Sequence, residues 1–295
     1  MKLALLVICF SVLSNCSSSG GGGTTPVTVH SGTKSPTSAL RGEDVTATYN
    51  AASDTFSITI EGRPIVLTSD AVRSRAGNVG VSAFSDSTLI GGREFPEFVV
   101  FHLVSSSGNT TATLAAKSGG INLPGYSPAF SAGHFGAGYS RENTTVIPIS
   151  GSATMNGQYV GVVSGNRLVG GIVDDVSDEV IYGVVALTAD FNTGTVNGNI
   201  TNRVSYDLAI MEPNNNETVA DVILTNVSIA NDGTYSGNIS GGGINRGGSL
   251  TGTTGSYSGV ISGANGTETA GLLSITHRYT GVPFGLFEEG IFVAQ

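Results

Sequence analysis

Side chains that could ligate a metal ion are few and widely spaced in this sequence. A zinc site needs several His or Cys ligands at characteristic spacings, and the sequence contains neither an HExxH nor a CxxC pattern. We therefore expect no metal site, and we expect surface or half-buried positions for the four histidines, which are His30, His102, His134 and His277. A haem iron needs only one axial imidazole, so His102 and His134 are the alternatives for haem ligation.

The densest acidic segment is residues 174–179, with the sequence Asp-Asp-Val-Ser-Asp-Glu. Carboxylate oxygens are the ligands that Ca²⁺ prefers, but a calcium loop alternates its ligands with other residues. This segment lacks that alternation. We expect a solvated hairpin loop here, with calcium binding as the alternative.

No group of residues has the pattern of a catalytic site. A serine-hydrolase elbow, Gly-x-Ser-x-Gly, is absent. The glycines at 133, 136 and 138 do not follow the dinucleotide-binding order, so they predict a loop. We therefore predict that the chain is not an enzyme and holds no cofactor. The Asn-x-Ser/Thr sequons at Asn109, Asn143 and Asn226 are attributed to Asn/Thr-rich turns.

Cys16 is the one residue for which the sequence predicts a modification. It follows a positively charged start and the apolar run 3–13, which is too short to span a membrane. The residues up to Cys16 resemble a bacterial lipobox, in which the thiol is acylated. We predict a signal peptide over 1–15, palmitate or a similar acyl chain on Cys16, and a flexible Gly/Ser tether over 16–29. The alternative is an ordinary signal peptide followed by a chance cysteine.

The charge balance excludes one class of partner. The chain has 13 basic and 22 acidic residues, and its net charge is −9. Nucleic-acid binding depends on basic residues that neutralise phosphates, and no basic cluster is present. We expect no nucleic-acid partner. Hydrophobic residues make up 39% of the chain and charged residues 12%, which is the composition of a globular protein rather than a disordered one.

The apolar residues follow the pattern of strands. No window shows a sustained 3.6-residue period, so no helix is predicted. Runs rich in β-branched and aromatic residues recur between clusters of Gly, Asn, Asp and Ser. These runs are 45–49, 55–60, 97–104, 180–191, 219–229 and 272–277. The fold class predicted from them is all-β.

An internal repeat sharpens this prediction. Residues 190–201 align with residues 229–240, and six of the twelve positions are identical. Each copy has the pattern strand, Asn-x-Gly turn, strand, and half-copies occur at 157–163 and 256–262. The repeat predicts an antiparallel meander of hairpins. Glycines within the strands suit the tight curvature of a closed barrel.

A loop-like stretch rich in Gly and Pro at 120–150 separates two parts of the chain. We place the boundary near residue 143. The predicted domains are an irregular β domain over 30–142 and the meander over 143–295.

Three segments of the second part resemble the transferrin-binding protein B-like surface lipoproteins. They are Tyr139–Gly161, Ala189–Ile200 and Gly281–Phe292. The first departs from the family pattern at Met155, where a Tyr is usual, and the third has one glycine fewer. The resemblance implies a handle-like first domain, an eight-stranded antiparallel up-and-down β-barrel at 143–295, and a position on the outer membrane.

From the lipobox and this resemblance we expect a monomeric surface lipoprotein, held to the membrane by its lipid. We expect loops of its barrel to bind a host or environmental protein, or an iron or haem carrier. One alternative is an integral outer-membrane β-barrel pore. The other is an adhesin or structural surface lipoprotein with no role in iron uptake.

Overall fold

The computed structural model describes most of the chain. Its described residues are 24–29, 45–50, 53–60, 63–70, 74, 81–90, 93–108, 110–117, 135–141, 146–169, 172–208, 211–215, 217–245, 250–280 and 285–295. Cys16, His30, Asn109, His134 and Asn143 lie outside them. Within these ranges, no helix is long and apolar enough to cross a membrane. Among the described residues, the one helical element is a short 3₁₀ turn at Ala264–Gly266.

The first half of the chain folds into an eight-stranded antiparallel sheet whose strands pair in sequence order. The strands are β1 (Thr24–Val29), β2 (Val45–Asn50), β3 (Thr55–Ile60), β4 (Arg63–Ser69), β5 (Val81–Ile90), β6 (Arg93–Val104), β7 (Thr110–Lys117) and β8 (Phe135–Arg141).

Strand β1 occupies residues that the sequence assigned to a flexible tether. Residues 24–29 alternate Thr and Val around Pro26 and pair with β2. Proline lacks the N–H that a ladder needs on both sides, so it is tolerated in an edge strand such as this one. The tether prediction is therefore wrong for residues 24–29. The domain bounds themselves remain predictions.

The second half forms a closed eight-stranded antiparallel barrel, as the resemblance implied. Its consecutive strands are hydrogen-bonded neighbours, and the last strand pairs with the first. They are β9 (Ser152–Val169), β10 (Ile172–Asp190), β11 (Thr195–Asp207), β13 (Val222–Ser228), β14 (Thr234–Gly241), β16 (Leu250–Ser262), β17 (Glu268–Tyr279) and β18 (Leu286–Ala294). The all-β class is confirmed.

The acidic segment 174–179 lies within strand β10, paired with β9, and not in a hairpin loop. A register shift interrupts the pairing between Val176 and Glu179. The prediction of a hairpin loop is therefore wrong for this segment.

The repeated Asn-x-Gly motifs form turns at one end of the barrel. In each motif the glycine has a positive φ, +65° at Gly194 and +81° at Gly233, a conformation that only glycine adopts at little cost. Because strands alternate in direction, the turns 191–194, 229–233 and 263–267 share this end, which we call the turn end.

The opposite end, the capped end, is covered by a small two-stranded sheet. Strand β12 (Thr218–Val219) precedes β13 and pairs with β15 (Ile244–Asn245), which precedes β16. Ile244 is fully buried in the barrel core, and its carbonyl accepts a hydrogen bond of 2.5 Å from the Tyr279 hydroxyl. The two strands therefore close this end of the barrel.

Side chains fill the barrel interior, where tyrosines and glycines are interleaved. The pattern Tyr-x-Gly occurs in β9, β14 and β16, and all three tyrosines are buried in the core. A Cβ on Gly161 or Gly290 would lie 2.4 or 2.2 Å from the Tyr159 hydroxyl oxygen. These strand glycines thus leave room for aromatic rings, a steric role that the sequence analysis did not foresee.

The outer wall of the barrel has two different halves. On β9, β10, β17 and β18, outward apolar residues form one buried cluster with residues of the first sheet. This cluster includes Phe101, Leu114, Val162, Tyr182, Leu272 and Ile291. On β11, β13 and β14, the exposed outward residues are mostly amides and hydroxyls: Asn197, Asn199, Asn226, Ser228, Ser236, Asn238 and Ser240. The sequon residue Asn226 lies in a strand, not in a turn.

Candidate functional site

His102 is buried in the first sheet, with a relative exposure of 6%. Its Nδ1 lies 2.9 Å from the Thr113 hydroxyl oxygen, and its ring packs against Phe56 and Tyr49. Burial lowers the pKa of His102 to about 4, so the ring is neutral at neutral pH. The expectation of a surface or half-buried histidine is wrong here, because an aromatic cluster encloses the ring.

His277 lies inside the barrel, and its side chain is 0% exposed. It too contradicts the expectation for the histidines. Its Nε2 lies 3.4 Å from the Glu288 Oε2. The described residues contain no group of three His, Cys, Asp or Glu side chains that could hold a metal ion.

His277 belongs to a buried polar cluster that also includes Tyr159, Arg203 and Glu288. The Tyr159 hydroxyl donates a hydrogen bond of 2.5 Å to the Glu288 Oε1. Arg203 Nη2 donates to both carboxylate oxygens, at 2.5 Å for Oε2. The side chains of Arg203 and Glu288 are 0% exposed. Strands β9, β11, β17 and β18 each contribute one member of this cluster.

Arg203 fixes the ionisation state of Glu288. Burial alone would raise the pKa of Glu288, but the Arg203 guanidinium and the nearby His277 lower it to about 2. Burial and the Glu288 charge raise the pKa of Tyr159 well above its usual value. At neutral pH Glu288 is therefore an ionised and fully engaged carboxylate. Such a group is a poor general base, because its pKa lies far below the working pH.

The same arginine also holds the capped end. Its Nη1 donates to the Ala220 carbonyl at 2.6 Å and to the Gly242 carbonyl at 3.1 Å. These carbonyls flank β12 and β15. Arg203 therefore links the cap to the far wall of the barrel through Glu288, and the cluster has the geometry of a structural latch.

The sequence analysis did not identify Tyr159, Arg203 or Glu288 as members of a site. It named His277 only as one of four histidines expected at surface or half-buried positions. The available signal was a charged residue at an inward-facing strand position. For Arg203 this signal was hidden, because a β-bulge changes the face of the strand on which Arg203 lies. Asn202 has a positive φ of 52°, and a register shift occurs in this part of the β10–β11 pairing. As a result Ile200 and Arg203, three residues apart, both face inward, whereas strict alternation would place them on opposite faces.

A second buried carboxyl lies on the outer wall. Glu289 is nearly inaccessible and accepts a hydrogen bond of 2.6 Å from the Ser274 hydroxyl. Burial, opposed by the Ser274 hydrogen bond and aided by the Glu288 charge, raises the pKa of Glu289 to about 8. Its ladder partner Val162 belongs to the apolar cluster shared with the first sheet.

The first sheet contributes to the surface at the turn end. Thr110 donates a hydrogen bond of 2.7 Å to the Glu268 Oε2. The β6–β7 turn reaches the chain end, where the Gln295 Oε1 accepts from the backbone N–H and the hydroxyl of Ser106. Arg141, the last residue of β8, donates to the carbonyls of Asp232 and Ile261 at 2.5 and 2.7 Å.

The connector between the two sheets lies beside these turns. Gly151 donates its N–H to the Asn192 Oδ1 at 3.1 Å and accepts from the Phe191 N–H at 2.9 Å. Two aliphatic side chains of the connector are almost fully exposed, Val146 at 82% and Ile149 at 95%. Ile147, between them, packs against the barrel core.

We define the turn surface as the described turns and connector at this end. It comprises residues 105–108, 146–150, 191–194, 229–233 and 263–267. Cross-sheet hydrogen bonds hold its parts together, so it is one surface built from both halves of the chain. Loops carried on a rigid scaffold in this way are where binding residues concentrate in proteins.

Comparison with known proteins gives a likeness of fold. No protein-family model matches the chain, and no curated protein matches it. Among solved structures, the chain is similar to a double mutant of the vaccine antigen transferrin-binding protein B from Haemophilus parasuis. The identity is 11% and the TM-score is 0.38, over 86% of this chain and 53% of that one.

Two further structures have similar identities and lower TM-scores. Isotype 1 transferrin-binding protein B from serogroup B Neisseria meningitidis is 12% identical with a TM-score of 0.32, over 86% of this chain and 65% of that one. A protein of unknown function from Nostoc punctiforme is 11% identical with a TM-score of 0.23, over 92% and 93%. The chain thus spans less than two thirds of these transferrin-binding proteins, and the predicted resemblance is supported only as a coarse likeness of fold.

Proposed function

We propose that this chain is a lipid-anchored surface protein of the bacterial outer membrane that binds a protein partner through its turn surface. The observation that carries the proposal is the pair of exposed side chains, Val146 and Ile149, beside turns held together by cross-sheet hydrogen bonds. Exposed aliphatic residues on a preorganised surface are suited to anchor a protein partner, because little conformational freedom is lost on binding.

The anchor in this proposal is Cys16, acylated after removal of residues 1–15. Two acyl chains hold a protein firmly to a bilayer, whereas one does so only marginally. The expected partner is the one inferred from the sequence, a host or environmental protein or an iron or haem carrier. The protein acts as a monomer and requires no cofactor.

Two features of the barrel count against the pore alternative. Its interior is filled by core side chains and its far end is closed by β12 and β15. A transmembrane barrel also needs an outward apolar band. Here one half of the wall packs on the first sheet, and the exposed residues of β11, β13 and β14 are mostly Asn and Ser.

The experiment that tests the proposal is capture by immobilised haemin, haemoglobin and transferrin. The full chain is compared with Ile149→Asp and with Ile223→Asp, which changes a 55%-exposed side chain on the barrel wall. We expect at least one bait to capture the full chain, and Ile149→Asp but not Ile223→Asp to reduce capture at least tenfold. Capture by no bait overturns the iron-carrier version and favours the adhesin or structural alternative. An equal loss in both variants contradicts the role of the turn surface.

A further inference from the structure

Three residues at the capped end have buried polar atoms that the described part of the chain leaves without hydrogen-bond partners. These atoms are Arg203 Nε, Thr253 Oγ1 and both ring nitrogens of His277. One of them, His277 Nε2, faces the Glu288 carboxylate at 3.4 Å.

The topology brings these three residues to one region of the interior. Thr253 of β16 and His277 of β17 are directly opposite in the ladder. Both share the inward face with core residues of their strands, Tyr257 and Leu273. The cap lies over them, because a Cβ on Gly243 would be 3.4 Å from the Thr253 Oγ1, and a Cβ on Gly242 would be 3.7 Å from the Arg203 Nη1.

Leaving these atoms unpaired would be costly. A buried donor or acceptor without a partner has lost its hydrogen bonds to water without replacement, and native proteins pair more than about nine in ten of such groups. The neighbouring polar atoms of Arg203 are well paired, with Glu288 and with two cap carbonyls. Because the Arg203 guanidinium is otherwise fully paired, its unpaired Nε and the nearby Thr253 Oγ1 and His277 Nδ1 indicate a place where a further molecule can bind.

We propose that the capped end of the barrel holds a small uncharged guest bound by Arg203 Nε, Thr253 Oγ1 and His277 Nδ1. The guest both donates and accepts hydrogen bonds. Arg203 Nε can only donate a hydrogen bond, whereas the Thr253 hydroxyl can donate or accept one. His277 Nδ1 accepts a hydrogen bond when the ring proton is on Nε2, which faces Glu288. A charged guest would be unbalanced, because Arg203 and Glu288 already neutralise each other.

Ordered water and a small alcohol share this chemistry. Either guest would be enclosed, because Arg203 holds the cap over it through the carbonyls of Ala220 and Gly242. Exchange with solvent then requires the cap to open. The site is independent of the turn surface, which lies at the other end of the barrel.

The test is a crystal structure of the full mature chain at atomic resolution, with Thr253→Val and Thr254→Val as a matched pair. Thr254 is the next residue and is exposed on the outer wall. We expect a density peak within hydrogen-bond distance of at least two of the three atoms. It should be lost in Thr253→Val and kept in Thr254→Val. Thr253→Ser, which retains the hydroxyl, should also keep it and guards against a folding failure.

Mass spectrometry of the material released on denaturation separates the two sources. A released neutral alcohol identifies an organic guest, and a density peak without released material identifies water. Both results support the site. A wild-type structure without density, or a halide or carboxylate bound there, overturns the proposal.

Discussion

Glu288 and Glu289 are consecutive in β18, yet one is ionised inside the barrel and the other is protonated on its outer wall at neutral pH. Glu288 binds Arg203 and Tyr159, and its pKa is lowered to about 2. Glu289 has the Ser274 hydroxyl as its partner, and burial raises its pKa to about 8. Strand alternation separates the two environments by a single residue. Protonation of the inward Glu288 at low pH and ionisation of the outward Glu289 at high pH should therefore each lower the stability of the barrel.

Glu289 should lower the stability of the protein as the pH rises. Its folded pKa of about 8 lies above its ordinary value of 4.5, so between these values the folded state binds more protons than the unfolded state. Across this window the free energy of unfolding of the wild type should fall relative to that of Glu289→Gln, since His102, whose folded pKa is about 4, contributes equally to both proteins. Urea titrations across this range measure it. Asp221→Asn, at an exposed carboxylate, is the control and should follow the wild type. Parallel pH profiles for wild type and Glu289→Gln would contradict the prediction.

Glu288 should have the opposite dependence. Because its folded pKa of about 2 lies below the ordinary 4.5, its stabilising contribution is complete above that ordinary value and is lost as the pH falls towards about 2. At neutral pH, Arg203→Met should destabilise the protein by about 3–5 kcal/mol, because it leaves a buried charge unpaired. The double variant Arg203→Met/Glu288→Leu should recover much of that loss. Urea unfolding of the single and double variants measures these changes. An Arg203→Met variant as stable as the wild type would contradict the burial of the ion pair.

Gly290 should be intolerant of a side chain. A Cβ at this position would lie 2.2 Å from the Tyr159 hydroxyl oxygen, which is itself fixed by Glu288. We expect Gly290→Ala to cost about 1–3 kcal/mol through overpacking. Gly252→Ala, where nothing lies within 4 Å of the new Cβ, should be neutral or slightly stabilising. Thermal unfolding of the two variants compares them, and equal melting temperatures would contradict the steric role of the strand glycines.

The sequence predicted those parts of the fold that local chemistry determines. Alternating β-branched runs predicted the strands, and the Asn-x-Gly repeats predicted the turns at Gly194 and Gly233, because only a positive φ closes them readily. The Tyr-x-Gly pattern was also visible in the sequence. The role of its glycines in leaving room for tyrosine rings could not be predicted, because it depends on which face of each strand points inward.

The buried polar cluster could not be predicted for the same reason. The bulge at Asn202 changes the face on which Arg203 lies, and a bulge has no strong sequence signal. The burial of Glu289 depends on the covered half of the barrel wall. His102 was misplaced because its aromatic neighbours come from β2 and β3, distant in sequence.

The most direct test of the proposed function is metabolic labelling with an alkyne-bearing fatty acid, followed by membrane fractionation. Cys16→Ala is compared with Cys9→Ala, since Cys9 lies in the predicted signal peptide and leaves with it. We expect Cys16→Ala to lose both the label and membrane association while it remains folded, and Cys9→Ala to retain both. A Cys16→Ala protein that stays labelled in the membrane fraction would contradict lipid anchoring at Cys16.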